Sequence, residues 1–229
     1  MKDLTVVIPV YRENPKVVET LYTELSAQGC EVIVVDDGGH TQPKCLHMSI
    51  KHIGYGGALK AGIRMATRPT VLTMDGDFEH RVEDVSKLHT VFSLIPECAM
   101  VVGCRWNKKE SPLRWIGRKL INFTASLWAR HYLIDLNSGM RIFRRDLAMG
   151  YAPILCDTFS FTTSLTMCLV TDNHKVAWFP IDTNKRAYGK SHVKVWRDGL
   201  ITMKYVFWIG FALRTRRLRA WLRNVIAGR

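Results

Sequence analysis

The sequence contains no long uninterrupted apolar run. A membrane-spanning helix needs about 18 consecutive apolar residues. The nearest approach, residues 200–213, is shorter and includes Lys204. We therefore expect a chain that does not cross a membrane by itself, although it can lie on one. A secretory segment is also lacking, because Met1-Lys2-Asp3 leads directly into a strand-like run, which predicts a cytoplasmic protein.

Paired cysteine motifs are missing as well. The six cysteines are scattered, and none forms a C-x-x-C pair or shows the Cys/His spacing of a structural zinc site. This pattern indicates reduced, mostly buried thiols rather than a disulfide framework.

Acidic residues are scarce relative to basic ones. The chain has 33 Lys and Arg against 20 Asp and Glu, a formal charge of +13 and a pI near 9.7. Such a surface attracts anions, which could be nucleotide phosphates, lipid phosphates, acidic headgroups or nucleic acid. Composition alone does not choose among them. With 229 residues, 47% of them hydrophobic, the chain can bury the core of one ordinary domain.

Strand and helix patterns alternate over the first hundred residues. The predicted strands are residues 4–10, 31–36, 48–50, 70–75 and 99–103, and the predicted helices are residues 15–27, 57–67 and 82–94. Repeated units of this kind specify an α/β fold with a mostly parallel sheet covered by helices on both faces. Ligands of such sheets bind at the carboxyl ends of the strands.

The second half of the chain has a different pattern. We predict helices to about residue 131 and over 162–170, a strand over 176–181, and a basic glycine loop over 185–192. The last thirty residues resemble one or two amphipathic helices. The predicted organisation is a catalytic domain over residues 1–195, followed by a basic helical tail over residues 196–229.

Acids follow three of the predicted strands. The motif Asp75-Gly76-Asp77 closes the fourth strand, Asp36-Asp37 closes the second, and Glu13 follows the first. Two carboxylates one residue apart can converge on Mg²⁺ or Mn²⁺, which prefer oxygen ligands and share them with substrate phosphates. A single motif of this type is usually a solvated turn, but three acidic strand ends are hard to explain as turns.

These motifs occur in an order that resembles family 2 glycosyltransferases with the GT-A fold. The run Val6–Glu13, then Val34–Gly38, Gly54–Ala58 and Asp75–His80 carry the resemblance. Further along, Val102–Arg105, Asp135–Arg145 and Arg186–Ser191 resemble the dolichyl-phosphate mannose synthase branch, which acts on polyprenyl phosphates. The match is collinear over about residues 4 to 200.

The resemblance implies a role for each matching position. The positions implied to hold the nucleotide base and ribose are Pro9, Tyr11, Glu13, Val35 and Asp37. Asp75 and Gly76 would line the donor, and Asp77 would bind the Mg²⁺ or Mn²⁺ that bridges its diphosphate. Arg105 and Arg186 would face phosphates.

Two of the implied site positions, and the stretch Thr162-Thr163-Ser164, depart from the pattern of the synthases. Glu79 stands where they usually have Gln, so it is an altered metal ligand, and His192 replaces their Lys. Lys190 can take over that charge, or the site can respond to pH. These departures concern the sugar and the nucleotide more than the class of reaction.

The acceptor is indicated by what the second half lacks. Processive polysaccharide synthases carry a Q-x-x-R-W motif, and neither Gln28 nor Gln42 begins one. A hydroxyl acceptor needs a carboxylate base, whereas a lipid phosphate is already ionised. Only Asp135 and Asp157 remain as candidate bases, so the sequence favours inverting transfer of a hexose from a GDP- or UDP-sugar to a polyprenyl phosphate.

The end of the chain predicts contact with a membrane. No acid follows Asp198, apolar residues predominate over 200–211, and five arginines over 214–223 are interleaved with Leu218, Trp221 and Leu222. Aromatic residues beside arginines are typical of a helix that lies on anionic lipid. We expect a peripheral protein on the cytoplasmic face of a membrane, with a membrane-embedded partner protein as a further possibility.

Three other functions remain as alternatives. The first is a family 2 enzyme with a saccharide or other hydroxyl acceptor, and the only argument against it is the lack of an obvious carboxylate base in the second half. A nucleotidyltransferase should carry a G-x-G-T-R-type loop, which residues 9–13 do not form. A nucleic-acid-binding protein suits the charge, but it leaves the strand-end acids unexplained and no such motif is present, so no nucleic-acid partner is expected.

Overall fold

The computed structural model describes residues 1–38, 43–45, 47–106, 112–184 and 195–226. The strands are β1 (Leu4–Val10), β2 (Glu31–Asp36), β3 (His47–Ser49), β4 (Thr70–Thr73), β5 (Cys98–Arg105), β6 (Arg141–Arg144) and β7 (Lys175–Ile181). The helices are α1 (Pro15–Ala27), α2 (Tyr55–Met65), α3 (Glu83–Leu94), α4 (Pro112–Ala129), α5 (Arg145–Tyr151), α6 (Phe161–Thr171) and α7 (Val195–Ile226), with a short 3₁₀ turn at Ala152–Ile154.

One sheet of seven strands organises the described part of the chain, in the order β3-β2-β1-β4-β6-β5-β7. β1 pairs in parallel with β2 and β4, β2 with β3, and β5 with β7. β6 alone runs antiparallel, between β4 and β5. The predicted α/β class with a mostly parallel sheet is confirmed, whereas β6 and α5 were not anticipated from the sequence.

The central strands are buried because helices cover both faces of the sheet. Every residue of β1 is buried, as its run of β-branched and apolar residues requires. One apolar cluster joins the sheet to α2, α4, α6 and α7, and a second joins the opposite face to α1 and α3. At the start of α1, the Asn14 side chain accepts a hydrogen bond from Lys16 N, and Pro15 occupies the first turn.

The C-terminal helix contributes to the core with its first half. Val206, Ile209 and Leu213 of α7 are at most 3% exposed and belong to the cluster that includes α4 and α6. The division at residue 195 stays a prediction, and the structure adds that part of the expected tail packs as core. No helix among the described residues combines the length and apolarity that a bilayer crossing requires.

Candidate active site

One turn joins the acidic ends of two strands. The backbone N–H groups of Ile53 and Gly54 donate to the Asp37 carboxylate at 2.8 and 3.0 Å. The next residue, Tyr55, donates its hydroxyl to Asp75 Oδ1 at 2.8 Å. Asp37 follows β2 and Asp75 follows β4, and these two strands lie directly on either side of β1. The turn therefore holds both acids at the carboxyl edge of the parallel strands, where the sequence predicted a ligand site.

The end of β1 lies at the same edge. The ring of Tyr11 is 4.7 Å from the ring of His52, whose Nδ1 is 2.9 Å from Asp37 Oδ2. A Cβ on Gly76 would lie only 2.8 Å from Val10 Cγ1, so the segment after β4 can rest against β1 only with glycine there. The structure thus brings together Tyr11, Asp37 and Asp75.

The remaining positions expected to hold the nucleotide are placed as follows. Pro9 and Val35 are neighbours in the register of β1 and β2, and both are buried. The Val35 side chain packs towards Gly62 of α2, so its outer face is covered. Glu13 is half-buried in the segment between β1 and α1. Their contact with a nucleotide stays a prediction.

Asp75 is held in its ionised form. Burial by itself would raise the pKa of this carboxyl, but the approach of the His80 imidazole, the hydrogen bond from Tyr55 and the charge of Arg105 together lower it to about 2. His80 Nε2 lies 3.5 Å from Asp75 Oδ2, a charge contact in which Nε2 forms no hydrogen bond among the described residues. Asp75 is therefore negatively charged throughout the physiological range.

Asp77 and Glu79 form a tight acidic turn. Asp77 is 3% exposed, and its Oδ1 accepts a hydrogen bond from Glu79 N at 2.9 Å. Phe78 between them has a φ of 61°, a left-handed conformation that closes the turn. Within the described residues, no three His, Cys, Asp or Glu side chains already form a metal cage. Two carboxylates nevertheless suit Mg²⁺ or Mn²⁺, which usually complete their coordination with water and substrate phosphates.

Arg105 is bound to a carboxylate of the protein. Its Nε and a terminal nitrogen donate to Asp135 at 2.9 and 2.6 Å, and its backbone N–H donates to the same carboxylate at 3.0 Å. Burial opposes the charge on Arg105, but Asp135, Glu79 and Asp75 raise its pKa above the usual value. The guanidinium therefore lies near the acidic turn with its fork occupied by Asp135, and its contact with a substrate phosphate stays a prediction.

We expect Asp135→Asn to lower the free energy of unfolding by about 3 kcal/mol, because it leaves a buried guanidinium without its counter-charge. Burial raises the pKa of Asp135, but Arg105 outweighs burial and lowers it below 3.8. The stabilisation is complete above that ordinary value and is lost as the pH falls through the lowered one. Urea unfolding at pH 7 and pH 3 should show a smaller difference between wild type and variant at pH 3. Asp182→Asn, in an exposed pair with Arg81, is the control and should have little effect.

A buried arginine that the sequence analysis did not single out organises the other wall of the site. Arg141 is fully buried, and its donors reach the carbonyl oxygens of Leu136, Ser138 and Thr162 and the hydroxyl of Thr166. Burial lowers the pKa of Arg141 to about 10, so it remains charged at neutral pH. It fastens the loop before β6 to α6. The sequence signal that could have identified Arg141 is its place within residues 135–145, the motif that resembles the synthases.

That loop rests directly on Asp75. Thr73 Oγ1 donates to Gly139 O at 2.7 Å, and a Cβ on Gly139 would lie 2.7 Å from Asp75 Oδ1. The neighbouring Asn137 accepts a hydrogen bond from Thr163 Oγ1 at 3.2 Å, which ties the loop to the first turn of α6. Gly139 is thus a residue whose lack of a side chain determines where the Asp75 carboxylate can lie.

Three predicted site residues, Arg186, Lys190 and His192, lie outside the described residues. Their roles stay predictions. The described site therefore consists of the strand-end acids, the turn from His52 to Tyr55 and the loop before β6.

Sequence comparison identifies relatives of this chain. The family described as "Glycosyl transferase family 2" matches residues 5–151. An uncharacterized protein of Methanocaldococcus jannaschii is 28% identical over 209 residues, covering 82% of this chain and 84% of the relative. The undecaprenyl-phosphate 4-deoxy-4-formamido-L-arabinose transferase of Pectobacterium atrosepticum is 27% identical over 192 residues, covering 71% of this chain and 58% of that protein. The chain thus spans less than two thirds of the arabinose transferase.

Solved structures with the same fold include the glucosyl-3-phosphoglycerate synthase of Mycobacterium tuberculosis. Its complex with Mn²⁺, UDP and glucosyl-3-phosphoglycerate has a TM-score of 0.73 at 14% identity, covering 91% of this chain and 80% of that one. A complex of the same synthase with Mg²⁺ and UDP has a TM-score of 0.71 at 13% identity, covering 91% and 79%. At these identities the likeness establishes the fold. With the family match, it shows that this chain is a glycosyltransferase that belongs to glycosyl transferase family 2 and has the GT-A fold.

Proposed function

We propose that this enzyme transfers a hexose from a nucleoside diphosphate sugar to a polyprenyl phosphate, with inversion at the anomeric carbon and with Mg²⁺ or Mn²⁺ as cofactor. The observation that carries the proposal is the turn at residues 52–55, which binds the Asp37 carboxylate through its backbone and the Asp75 carboxylate through Tyr55. This arrangement leaves a rigid acidic edge with an aromatic ring beside it. Such an edge suits a nucleotide whose base and ribose offer hydrogen-bond donors.

The acids of the second turn complete the donor site. Asp77 and Glu79 would hold the cation, and their oxygen-only donor set fits it. When bound, the cation would neutralise charge that develops on the departing nucleoside diphosphate. Asp75, ionised and held by Tyr55, would accept hydrogen bonds from the donor's sugar hydroxyls and so orient the anomeric carbon.

A phosphate acceptor is supported by the state of the two acids that the sequence left open as bases. Asp135 forms a bidentate ion pair with Arg105, and its pKa is lowered. Asp157 forms an ion pair with Lys60, which also donates to Leu155 O at 3.2 Å. A carboxylate committed to a cation is a weak base for a hydroxyl. A phosphate needs no base, and its oxygen can attack opposite the leaving group.

The names of relatives support the same acceptor. The arabinose transferase of Pectobacterium atrosepticum carries undecaprenyl phosphate in its name, and it aligns with 71% of this chain. A polyprenyl chain resides in a bilayer, so the enzyme would work at a membrane, on the cytoplasmic face that the sequence analysis predicts. The arginines of α7 and an embedded partner protein are means of attachment that the sequence suggested.

The test is a radiolabel transfer assay with purified protein and Mn²⁺ or Mg²⁺. GDP-mannose, UDP-glucose and UDP-N-acetylglucosamine would be offered in turn, with and without a polyprenyl phosphate in detergent. We expect label from one donor to enter the organic phase, and EDTA to abolish the transfer because the cation is removed. Transfer to a saccharide acceptor without any lipid product would contradict the acceptor assignment and leave the enzyme class intact.

A further inference from the structure

A basic cleft opens far from the candidate active site, where α4 and α6 end beside α7. Its volume is about 390 Å³, and the side chains that matter for its chemistry are Trp128, Arg130, His131, Thr171, Asn173 and Arg214. α6 begins beside the loop before β6, where Thr163 Oγ1 donates to Asn137 Oδ1, and ends at Thr171 in the cleft. Eleven helical residues span about 16 Å. The cleft therefore lies at the opposite end of α6 from the loop before β6.

The lining of the cleft suits an anion. Among the described residues, its lining holds two arginines, a histidine and an amide, and no carboxylate. Asp172, the acid between Thr171 and Asn173 in the chain, accepts a hydrogen bond from Tyr151 at 2.6 Å. The hydroxyl of Thr171 is buried, in a residue that is 6% exposed, and it has no hydrogen-bond partner among the described residues. A buried donor of this kind calls for an acceptor.

The described contacts of Arg214 hold its guanidinium in place, and none of them carries a negative charge. Its guanidinium lies 4.8 Å from the Trp128 ring centroid and donates to Trp128 O at 2.5 Å. Gly210 lets α7 approach the same ring, since a Cβ there would lie 2.8 Å from an indole carbon. In the part of the chain that the structure describes, this cation is stacked on an aromatic ring and bonded to a neutral carbonyl, contacts that leave its charge available to an incoming anion.

An exposed apolar surface adjoins the cleft. Trp128, which lines the cleft, contacts Phe207 of α7 edge to face at 5.5 Å. The outer apolar face, as we call it, consists of nine side chains that are 46–72% exposed: Trp115, Ile116, Leu120, Phe123 and Leu127 on α4, and Leu200, Phe207, Trp208 and Phe211 on α7. α4 has no acidic residue, and α7 has only Asp198. Large apolar surfaces rimmed by basic groups mark sites of interaction with a membrane.

We propose that the basic cleft binds the phosphate of an anionic phospholipid while the outer apolar face inserts into the same bilayer. The inference rests on the membrane location in the proposed function, but not on the transfer chemistry. Charge complementarity selects this occupant, because an apolar surface beside two arginines, in a cleft whose described lining has no carboxylate, matches an acyl chain beside a phosphate. The buried Thr171 hydroxyl would donate to a phosphate oxygen, and Asn173 would add an amide donor.

The first experiment measures co-sedimentation of the full chain with phosphatidylcholine vesicles. One set of vesicles contains about 30% phosphatidylglycerol as the anionic lipid, and the other set contains none. The variants are Arg130→Asn, chosen because Asn tolerates the φ of 56° at that position, and Arg214→Gln. We expect each to weaken partitioning onto anionic vesicles about five-fold, and the pair about 25-fold. Arg64→Gln, an exposed arginine of α2, is the matched control and should change it less than two-fold. Equal losses of binding to anionic vesicles in all three variants would overturn the proposal that the cleft binds the lipid phosphate.

The second experiment tests the apolar contribution. Leu120→Asn and Phe123→Asn replace exposed side chains of the outer apolar face, and Leu94→Asn replaces a 74% exposed leucine of α3 as control. We expect both α4 variants to lose vesicle binding at least ten-fold without a change in thermal midpoint. If both α4 variants bound vesicles as the wild type does, the proposal that the outer apolar face inserts into the bilayer would be overturned. If sedimentation equilibrium showed a dimer that Phe123→Asn dissociates, the face would instead bind a second copy, and the proposal would fail.

A third measurement separates a lipid headgroup from a free anion. Inorganic phosphate and soluble glycerol phosphate would be titrated against the protein by calorimetry. Tight binding of either, together with no preference for anionic vesicles, would overturn the lipid assignment. Transfer to a polyprenyl phosphate in detergent is assayed in parallel. If variants that lose vesicle binding retain sugar transfer, the result supports the lipid-binding surface. If the wild type transfers no sugar, the result contradicts the proposed function but not the lipid-binding surface.

Discussion

Asp77→Asn should reduce sugar transfer by about 10³-fold while leaving the fold intact. Asparagine keeps an oxygen at the Oδ1 position, so it can still accept the hydrogen bond from Glu79 N that closes the turn. It removes the negative charge that would hold Mg²⁺ or Mn²⁺ against the donor diphosphate. We therefore expect a loss of activity with a thermal midpoint within about 2 °C of wild type, because no packing contact is lost.

The loss should also appear in cation-dependent donor binding. Calorimetry with UDP and with GDP, each with and without Mn²⁺, would show Mn²⁺-enhanced binding for wild type and none for Asp77→Asn. The control is Asp146→Asn, which alters an exposed aspartate paired with Arg144 at the opposite end of β6 from the site. That variant should retain full transfer. If Asp77→Asn kept full activity, or if Mn²⁺ still enhanced nucleotide binding in this variant, Asp77 would not be a metal ligand.

Gly139→Ala should reduce transfer by about 10²-fold, because it displaces the Asp75 carboxylate. The added methyl would lie 2.7 Å from Asp75 Oδ1, well inside van der Waals contact, and the loop cannot retreat easily. Arg141 holds the loop to α6, because it donates to the loop carbonyl groups of Leu136 and Ser138 and to Thr162 O and Thr166 Oγ1 of α6. The carboxylate must therefore rotate away, which breaks its hydrogen bond from Tyr55 and misplaces the donor.

Gly150→Ala is the matched control for this variant. A Cβ at Gly150 meets nothing within 4 Å, and the residue lies in α5, where alanine favours the helix. It should retain full transfer and gain up to about 1 kcal/mol of stability. In Gly139→Ala the effect should fall mainly on kcat, since the nucleotide base contacts lie elsewhere. A normal kcat would show that the Asp75 position is not critical.

Much of the fold could be predicted from local patterns. β1, α1 and β2 have the predicted bounds, because β-branched runs and the Asn14-Pro15 start signal specify them locally. The helix α2 begins two residues earlier than expected, at Tyr55. Its first turn packs against the backbone near Asp157, and a Cβ on Gly56 would lie 2.8 Å from Thr158 O. A contact over a hundred residues along the chain cannot be read from a local window.

β6 shows why the rest escaped prediction. Its four residues are Arg141, Ile142, Phe143 and Arg144, and a strand with an arginine at each end does not resemble a buried strand in sequence. The strand exists because it fills the gap between β4 and β5, with Leu72 opposite Ile142 and Val101 opposite Ile142 on the other side. Arg141 is tolerated in the core because backbone carbonyls satisfy its donors.

The sequence by itself determined the family, the parallel sheet and the acids of the site, because these follow from short motifs at strand ends. It placed Asp37, Asp75 and Asp77 at one edge through the geometry of parallel strands. Only the tertiary structure decided how those acids are held. The antiparallel insertion of β6 brings Gly139 against Asp75, and the approach of Asp135 occupies the fork of Arg105. Such pairings depend on packing between distant segments, which local residue patterns do not encode.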